Sequence, residues 1–375
     1  MDERILRKRV IAETQRVVIK VGSSLLVSLD KGLKRHYFEA LADQIATLRK
    51  RGVEVLLVSS GAIAAGMERL GLKRRPSSIS DLQATAAVGQ SLLMHIYEEA
   101  FGRWGLKVAQ VLLTHEDVRD RRRYLNARNT LLTLLRLGVI PVVNENDSVV
   151  IEEIKFGDND LLAALTAGLI EAQLLIILTD VEGVFLGGPR SGKLITLVDK
   201  IEEELEASVR GTEKEVSIGG MITKLRAAKL ASKAGIYTMV VDGTNASVIE
   251  EIWRAEVRGT LFLPEAQRLR GRKKWIGFNL RVKGVLFLDD GAVKAVVESG
   301  KSLLPSGVTE VMGDFQRGDL VICRGPDGHD IARGLVNYSA EEIQMIKGRK
   351  SYEIEAILGY KYADEVIHRD NLVIL

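Results

Sequence analysis

The sequence predicts an α/β protein: a three-layer α/β/α sandwich with a mainly parallel sheet, followed by a small β-barrel-like domain. Two observations predict it. Over the first 263 residues near-continuous apolar strands alternate with helical patterns, as in sheets covered by helices on both faces. After Pro264 the chain turns basic, and short strands broken by glycine follow, a spacing that suits a small β-barrel.

The first strands are Val17–Val21, Val53–Val58, Val108–Leu113, Val139–Val143, Leu174–Leu178 and Tyr237–Val241. The helix Phe38–Arg51 stops at Gly52 and the helix Tyr124–Leu137 stops at Gly138, both glycine C-terminal signals. Ser80 with Gln83 reads as a capping box opening the helix that runs towards Tyr97. Residues 268–283 hold Arg268, Arg270, Arg272, Lys273, Lys274, Arg281 and Lys283 and no acidic side chain, so 264–281 reads as a basic linker. The second domain is expected over 282–366, with strands Gly284–Leu288, Ala292–Val297, Leu320–Cys323 and Ile331–Leu335, and a tail over 367–375.

Apolar residues make up 46% of the 375, ample for a sizeable core, and the net charge is only +3. Nothing global therefore demands nucleic acid or a membrane. No uncharged apolar run reaches the ~18 residues of a membrane span, and no signal peptide is read. Cys323 is the sole cysteine; internal disulfides are excluded, the reducing cytoplasm is the expected setting, and a small core residue is the expected role. The five histidines are scattered without ligand spacing, so no protein metal site is expected.

The densest chemistry lies between Asn144 and Asp160, N-E-N-D-S-V-V-I-E-E-I-K-F-G-D-N-D. It links the carboxyl end of one apolar strand to an apolar helix, Leu161–Ile170, the edge where open α/β sheets place ligands. A capped helix with an Asx turn needs far fewer such groups. The density suits a small ligand bearing both an ammonium and a carboxylate. In V-V-I-K-V-G-S-S, Lys20 sits inside an apolar strand, which is expensive unless its ammonium meets an anion. Gly22 lets the backbone pass close to a ligand and Ser23 and Ser24 offer donors; a snorkelling lysine is the alternative. In V-S-S-G-A-I-A-A-G a strand ends at Ser60-Gly61 and a helix begins at once, offering free N–H groups to an anion, or an ordinary serine cap. Thr179-Asp180 closes another strand at the same edge, where a strand-end turn is the plainer account. In I-G-G-M-I-T-K-L the glycines, the helix start and Lys224 together make a phosphate cradle.

Two features point elsewhere. Gly187–Lys193 fits G-x-x-x-x-G-K, but Leu194 stands where the magnesium-binding hydroxyl belongs and a strand-like segment follows, so it reads as a hairpin loop. Arg119 to Arg128 holds five arginines and reads as an arginine-rich loop and helix start, with nucleic acid or a subunit contact as the alternatives.

Taken together, these stretches resemble the amino acid kinase superfamily, and within it the glutamate 5-kinase family. The resemblance rests on V-V-I-K-V-G-S-S, V-S-S-G-A-I-A-A-G, A-V-G-Q at 87–90, Y-L-N-A-R-N-T-L at 124–131, N-E-N-D at 144–147, F-G-D-N-D at 156–160, T-D-x-x-G at 179–183 and G-G-M-x-T-K-L at 219–225. The C-terminal stretch resembles a PUA domain through D-D-G-A-V-K-A at 289–295, G-K-S-L-L-P-S-G-V at 300–308, G-D-F-x-R-G-D at 313–319 and I-A-R-G-L at 331–335.

The resemblance implies the amino acid kinase fold and transfer of the ATP γ-phosphate to the side-chain carboxylate of L-glutamate, the first step of proline synthesis. It implies Mg²⁺ bound mainly through ATP, L-proline as feedback inhibitor, and a homo-oligomer, tetramer or dimer. Ser60, Gly61, Asn144, Asp147 and Asn159 would hold glutamate. Lys20, Gly22, Ser23, Thr179, Asp180, Gly219, Gly220, Met221, Thr223 and Lys224 would hold ATP. Lys20 is expected on the incoming and transferring oxygens and Lys224 on the leaving side, with Asp160 orienting both ammonium groups. Three departures stand out: Ile218 where the family has Thr, Gly183-Val184-Phe185 where it has Gly-Leu-Tyr, and Gly187–Arg190 where it has Ala-Asp-Pro-Arg. The rival readings are an acetylglutamate or aspartate kinase of the same fold, and an RNA-binding protein using the PUA-like domain and the basic linker.

Overall fold

The computed structural model describes residues 3–28, 32–119, 121–149, 159–186, 192–202, 205, 220–245, 247–265 and 282–375. They form two compact units. The basic linker expected over 264–281 lies outside the described residues from 266 onward.

The first unit is organised by an eight-stranded sheet. Its strands are β1 (Arg16–Val21), β2 (Glu54–Ser59), β3 (Val108–Leu113), β4 (Ile140–Glu145), β5 (Leu174–Thr179), β6 (Leu197–Val198), β7 (Tyr237–Asp242) and β8 (Thr260–Phe262). Their order is β6-β8-β7-β5-β1-β2-β4-β3. The pairs from β7 across to β3 are parallel, and β8 is antiparallel to β7. Strand runs such as Val17–Ile19 and Leu174–Leu178 are fully buried, the reason they carry no polar alternation. The chain leaves β1 towards β2 on one side and later returns as β5 on the other. The crevice at the carboxyl end of β1 is therefore a topological switch point, where such sheets bind ligands.

The principal helices are α1 (Glu3–Glu13), α2 (Arg35–Lys50), α3 (Ala62–Leu70), α4 (Ile79–Gly102), α5 (Arg121–Arg136), α6 (Asn159–Leu169) and α7 (Met221–Lys233). Helix α2 ends before Gly52 and α5 before Gly138, both at positive φ, where glycine carries no Cβ penalty. The cap of α4 is Ser78, not Ser80. Ser78 is extended, and its Oγ accepts from Asp81 N at 3.1 Å, whereas Ser80 already lies within the first turn. Helices α3 and α4 cross at backbone contact through two glycines. A Cβ on Gly89 would lie 1.8 Å from the Ala62 carbonyl oxygen, and one on Gly66 1.9 Å from that of Thr85. This crossing brings the middle of α4 to the carboxyl edge of the sheet. The hairpin read at Gly187–Lys193 is flanked by Val184–Leu186 and Lys193–Ile195, paired antiparallel. Arg123 and Arg128, in the arginine-rich stretch, pair with Asp117 at 3.1 Å and Glu171 at 2.8 Å.

The second unit holds β9 (Val282–Leu288), β10 (Val308–Gly313), β11 (Leu320–Arg324), β12 (Asp330–Leu335) and β13 (Leu372–Ile374), in the order β10-β9-β11-β12-β13. All neighbours are antiparallel except β9 and β11. Residues 372–374, read from sequence as tail, pair with β12 as an edge strand. The run Ala292–Val297, expected to be a strand, is a helix, α8 (Asp290–Val297). Asp289 caps it, accepting from Ala292 N at 2.7 Å, and Ala292, Ala295 and Val296 share one face at helical spacing. Cys323 is fully buried in this core, and burial pushes its thiol up to about 12, which keeps it an unreactive core residue.

Candidate active site

Two clusters meet at the carboxyl edge of the sheet, joined by consecutive residues at the start of α6. Asp160 is the hinge of the first. It is 1% exposed, and Lys20 and Lys224 are 6% and 5% exposed, so each charge needs a partner in the interior. Lys20 Nζ lies 2.7 Å from Asp160 Oδ1, and Lys224 Nζ lies 3.1 Å from Oδ2. Thr223 Oγ1 donates to the same Oδ2 at 2.8 Å. Burial acts to raise the Asp160 carboxyl, but Lys20, Lys224 and the hydrogen bonds of Lys20 and Thr223 outweigh it and hold it below its ordinary value. Three separate elements supply this triad: β1 provides Lys20, α6 provides Asp160 and α7 provides Lys224 and Thr223.

Around the triad lie the candidate phosphate contacts. Gly22 N donates to Leu178 O at 3.1 Å, which draws the chain leaving β1 against β5. A Cβ on Gly22 would sit 3.9 Å from Lys20 Nζ. Ser23 opens a short helix and is exposed. Gly220 caps α7 in an extended conformation, and Met221 follows at the helix start, the end of a helix whose dipole favours an anion. Thr179 ends β5 and donates to Asp180 Oδ1 at 3.2 Å. Gly219 and Ile218 lie outside the described residues, as do residues 156–158 of the F-G-D-N-D stretch.

The second cluster is built of amides. Asn159 Nδ2 donates to Ser59 O at 3.0 Å, Ser60 Oγ at 3.0 Å and Asn144 Oδ1 at 3.1 Å. Asn144 Nδ2 donates to Gln90 Oε1 at 2.9 Å. Ser59 Oγ also meets Tyr97 Oη at 2.8 Å, tying the end of β2 to α4. Gly61 adopts φ +105° as the cap of α3, a left-handed conformation that suits glycine and turns the chain straight from β2 into the helix. Asp147 sits half-buried in the turn after β4; burial raises its carboxyl to about 6, against the pull of Arg75.

Residues 15–242 match the amino acid kinase family and residues 284–358 match the PUA domain. A glutamate 5-kinase of Geobacter sulfurreducens is 52% identical over 373 residues, covering 99% of this chain and 100% of the relative. Glutamate 5-kinases of Pseudomonas entomophila and Halorhodospira halophila are each 50% identical, over 97% and 98% of this chain and 99% of each relative.

The chain belongs to the glutamate 5-kinase family of amino acid kinases.

For a glutamate 5-kinase relative, the structure brings together Lys20, Lys224, Asp160 and Thr223, and separately Ser60, Asn144 and Asn159. From sequence, Gln90 stood only within the family-like stretch A-V-G-Q, and neither it nor Tyr97 was given a role. Both lie inside α4, and only the glycine crossing of α3 and α4 carries them to the sheet edge. Among the described residues no helix is long and apolar enough to cross a membrane.

Proposed function

We propose that this chain transfers the γ-phosphoryl group of ATP to the side-chain carboxylate of L-glutamate, forming glutamyl 5-phosphate and opening proline synthesis. The observation that carries the reading is the buried Lys20–Asp160–Lys224 triad at the switch point, within a chain 52% identical to a glutamate 5-kinase.

The glutamate side chain has a reference pKa of ~4.3 and is already ionised at pH 7. It needs no general base. The obstacle is that an anion must approach a polyanion, at a cost of about 4 kcal/mol for unit charges 4 Å apart at an effective dielectric of 20. Two ammonium groups fixed in the interior offset that cost. Lys20 serves the incoming and transferring oxygens and Lys224 the leaving side. Asp160 holds the two cations apart and in place, and Thr223 pins the oxygen facing Lys224. The start of α7 at Gly220 and Met221, with Gly22, Ser23, Thr179 and Asp180, forms the ATP side. Ser60, Gly61, Asn144, Asp147 and Asn159 form the glutamate side. The Asn159 side-chain oxygen Oδ1 is buried and without a partner among the described residues, as suits an acceptor waiting for an ammonium.

Among the described residues no three His, Cys, Asp or Glu side chains cluster as a metal site. On the family resemblance a Mg²⁺ ion would be held mainly by the nucleotide phosphates and water, its usual partners, where it screens phosphate charge. The same reading carries L-proline as inhibitor, a dimer or tetramer, and a cytoplasmic setting.

The test is phosphotransfer in the presence of hydroxylamine, which traps an acyl phosphate as its hydroxamate. Hydroxamate from ATP and glutamate, with far less from aspartate or N-acetylglutamate, is expected. Equal turnover of N-acetylglutamate would replace this reading with its nearest rival. The PUA match supports RNA as a second partner. Affinity for tRNA that falls steeply with salt would support it, and no binding at low salt would remove it.

A further inference from the structure

Three carboxamides stand in a row beside the glutamate side, and one backbone group sets the direction of all three. Glu145 N donates to Asn144 Oδ1 at 2.9 Å. A backbone N–H can only donate, so that Asn144 atom must be the oxygen. Asn159 then presents its nitrogen to the same oxygen, and to the Ser59 carbonyl, which can only accept. Asn144 turns its own nitrogen to Gln90, which must answer with Oε1, at 2.9 Å.

Two atoms are left over. Asn159 Oδ1 at one end and Gln90 Nε2 at the other are buried and without a partner among the described residues. Asn159 is 5% exposed and Gln90 8%. One leftover is an acceptor and the other a donor. Unpaired buried polar groups are rare in folded proteins and each calls for an explanation; beside the residues placed on the glutamate side, a bound ligand supplies one. A glutamate molecule carries a matching pair on its α-carbon: an ammonium that donates and a carboxylate that accepts.

We propose that Gln90 Nε2 donates to the α-carboxylate of the amino-acid substrate, making Gln90 a specificity-determining residue alongside Asn159. The assignment rests on the glutamate reading above and deepens it. The transferred phosphoryl group lies at the Lys20–Asp160–Lys224 triad, so Gln90 selects the substrate and leaves the reacting atoms alone.

Gln90→Glu keeps the acceptor that Asn144 needs and replaces only the free donor by a charged acceptor. The experiment compares glutamate with glutamic acid α-amide, whose carboxamide donates where glutamate accepts. In Gln90→Glu, KM for glutamate should rise tenfold or more. The ratio of kcat/KM for glutamate over the α-amide should fall at least tenfold, while KM for ATP stays within twofold. Gln90→Met, which removes donor and acceptor at similar volume, should also raise KM for glutamate and narrow the discrimination. An unchanged ratio in both variants would overturn the assignment and leave Gln90 as a prop for Asn144. A wild-type protein that turns over neither substrate would refute the glutamate reading itself.

Discussion

Replacing Lys224 by methionine keeps most of its buried stem and removes its charge. The ammonium lies 3.1 Å from Asp160 and is 5% exposed, so water screens it poorly. At about 4 Å from a phosphate oxygen and an effective dielectric of 20, that charge contributes about 4 kcal/mol. At 1.36 kcal/mol per decade, kcat should fall about a thousandfold. Asp160 keeps Lys20 at 2.7 Å and Thr223 at 2.8 Å, so its carboxylate is not stranded and the fold should survive. KM for glutamate should change by less than about threefold, because Lys224 is placed on the nucleotide side and not among the residues that hold glutamate. Steady-state ADP release, with thermal unfolding as a control for folding, measures both. A Lys224→Met protein that unfolds normally and keeps kcat within tenfold of wild type would refute the role assigned to Lys224.

Asp147 gives a pH prediction. Its carboxyl is raised from 3.8 to about 6 by burial, so it is charged above pH 6 and neutral below. If it faces the substrate ammonium, kcat/KM for glutamate should fall as pH drops through about 6, and Asp147→Asn should be low throughout with that limb gone. A limb that persists in the variant would assign it elsewhere. The sign for stability is opposite: the folded protein holds this proton more tightly than the unfolded chain, so stability should rise between pH 6 and 3.8, and Asp147→Asn should flatten that slope in urea titrations. Gly89→Ala should force α3 and α4 apart, because the new Cβ would lie 1.8 Å from Ala62 O. A loss of about 3 kcal/mol in chemical unfolding is expected, and a loss under ~0.5 kcal/mol would mean the crossing is looser than described.

The buried strands were legible because a parallel sheet covered on both faces leaves its composition in the chain as unbroken apolar runs. Lys20 was legible for the opposite reason, as a charge inside an apolar strand that demands an explanation; Lys224 was legible from the glycines and helix start before it, and the pairing of Asp160 with both lysines was implied by the family resemblance. The misreadings have local causes. The stretch Ser77-Ser78-Ile79-Ser80 offers three hydroxyls within one turn, and only backbone conformation selects Ser78 as the cap. The run Ala292–Val297 is too short and too apolar for periodicity to separate strand from helix, and Asp289 decides it. Gln90 lay within the family-like stretch A-V-G-Q but received no role from sequence, since a glutamine inside a helix is ordinary until a tertiary crossing places it against Asn144.

The central claim is that one carboxylate shared by two ammonium groups lets an anion attack a polyanion without a base. The turnover of Asp160→Asn tests it most directly. The swap keeps shape, removes the shared charge and turns one of its two acceptor atoms into a donor, so hydroxamate formation should fall a hundredfold or more, the order expected when a preorganised electrostatic group is lost. An Asp160→Asn protein that stays folded and turns over within threefold of wild type would contradict it.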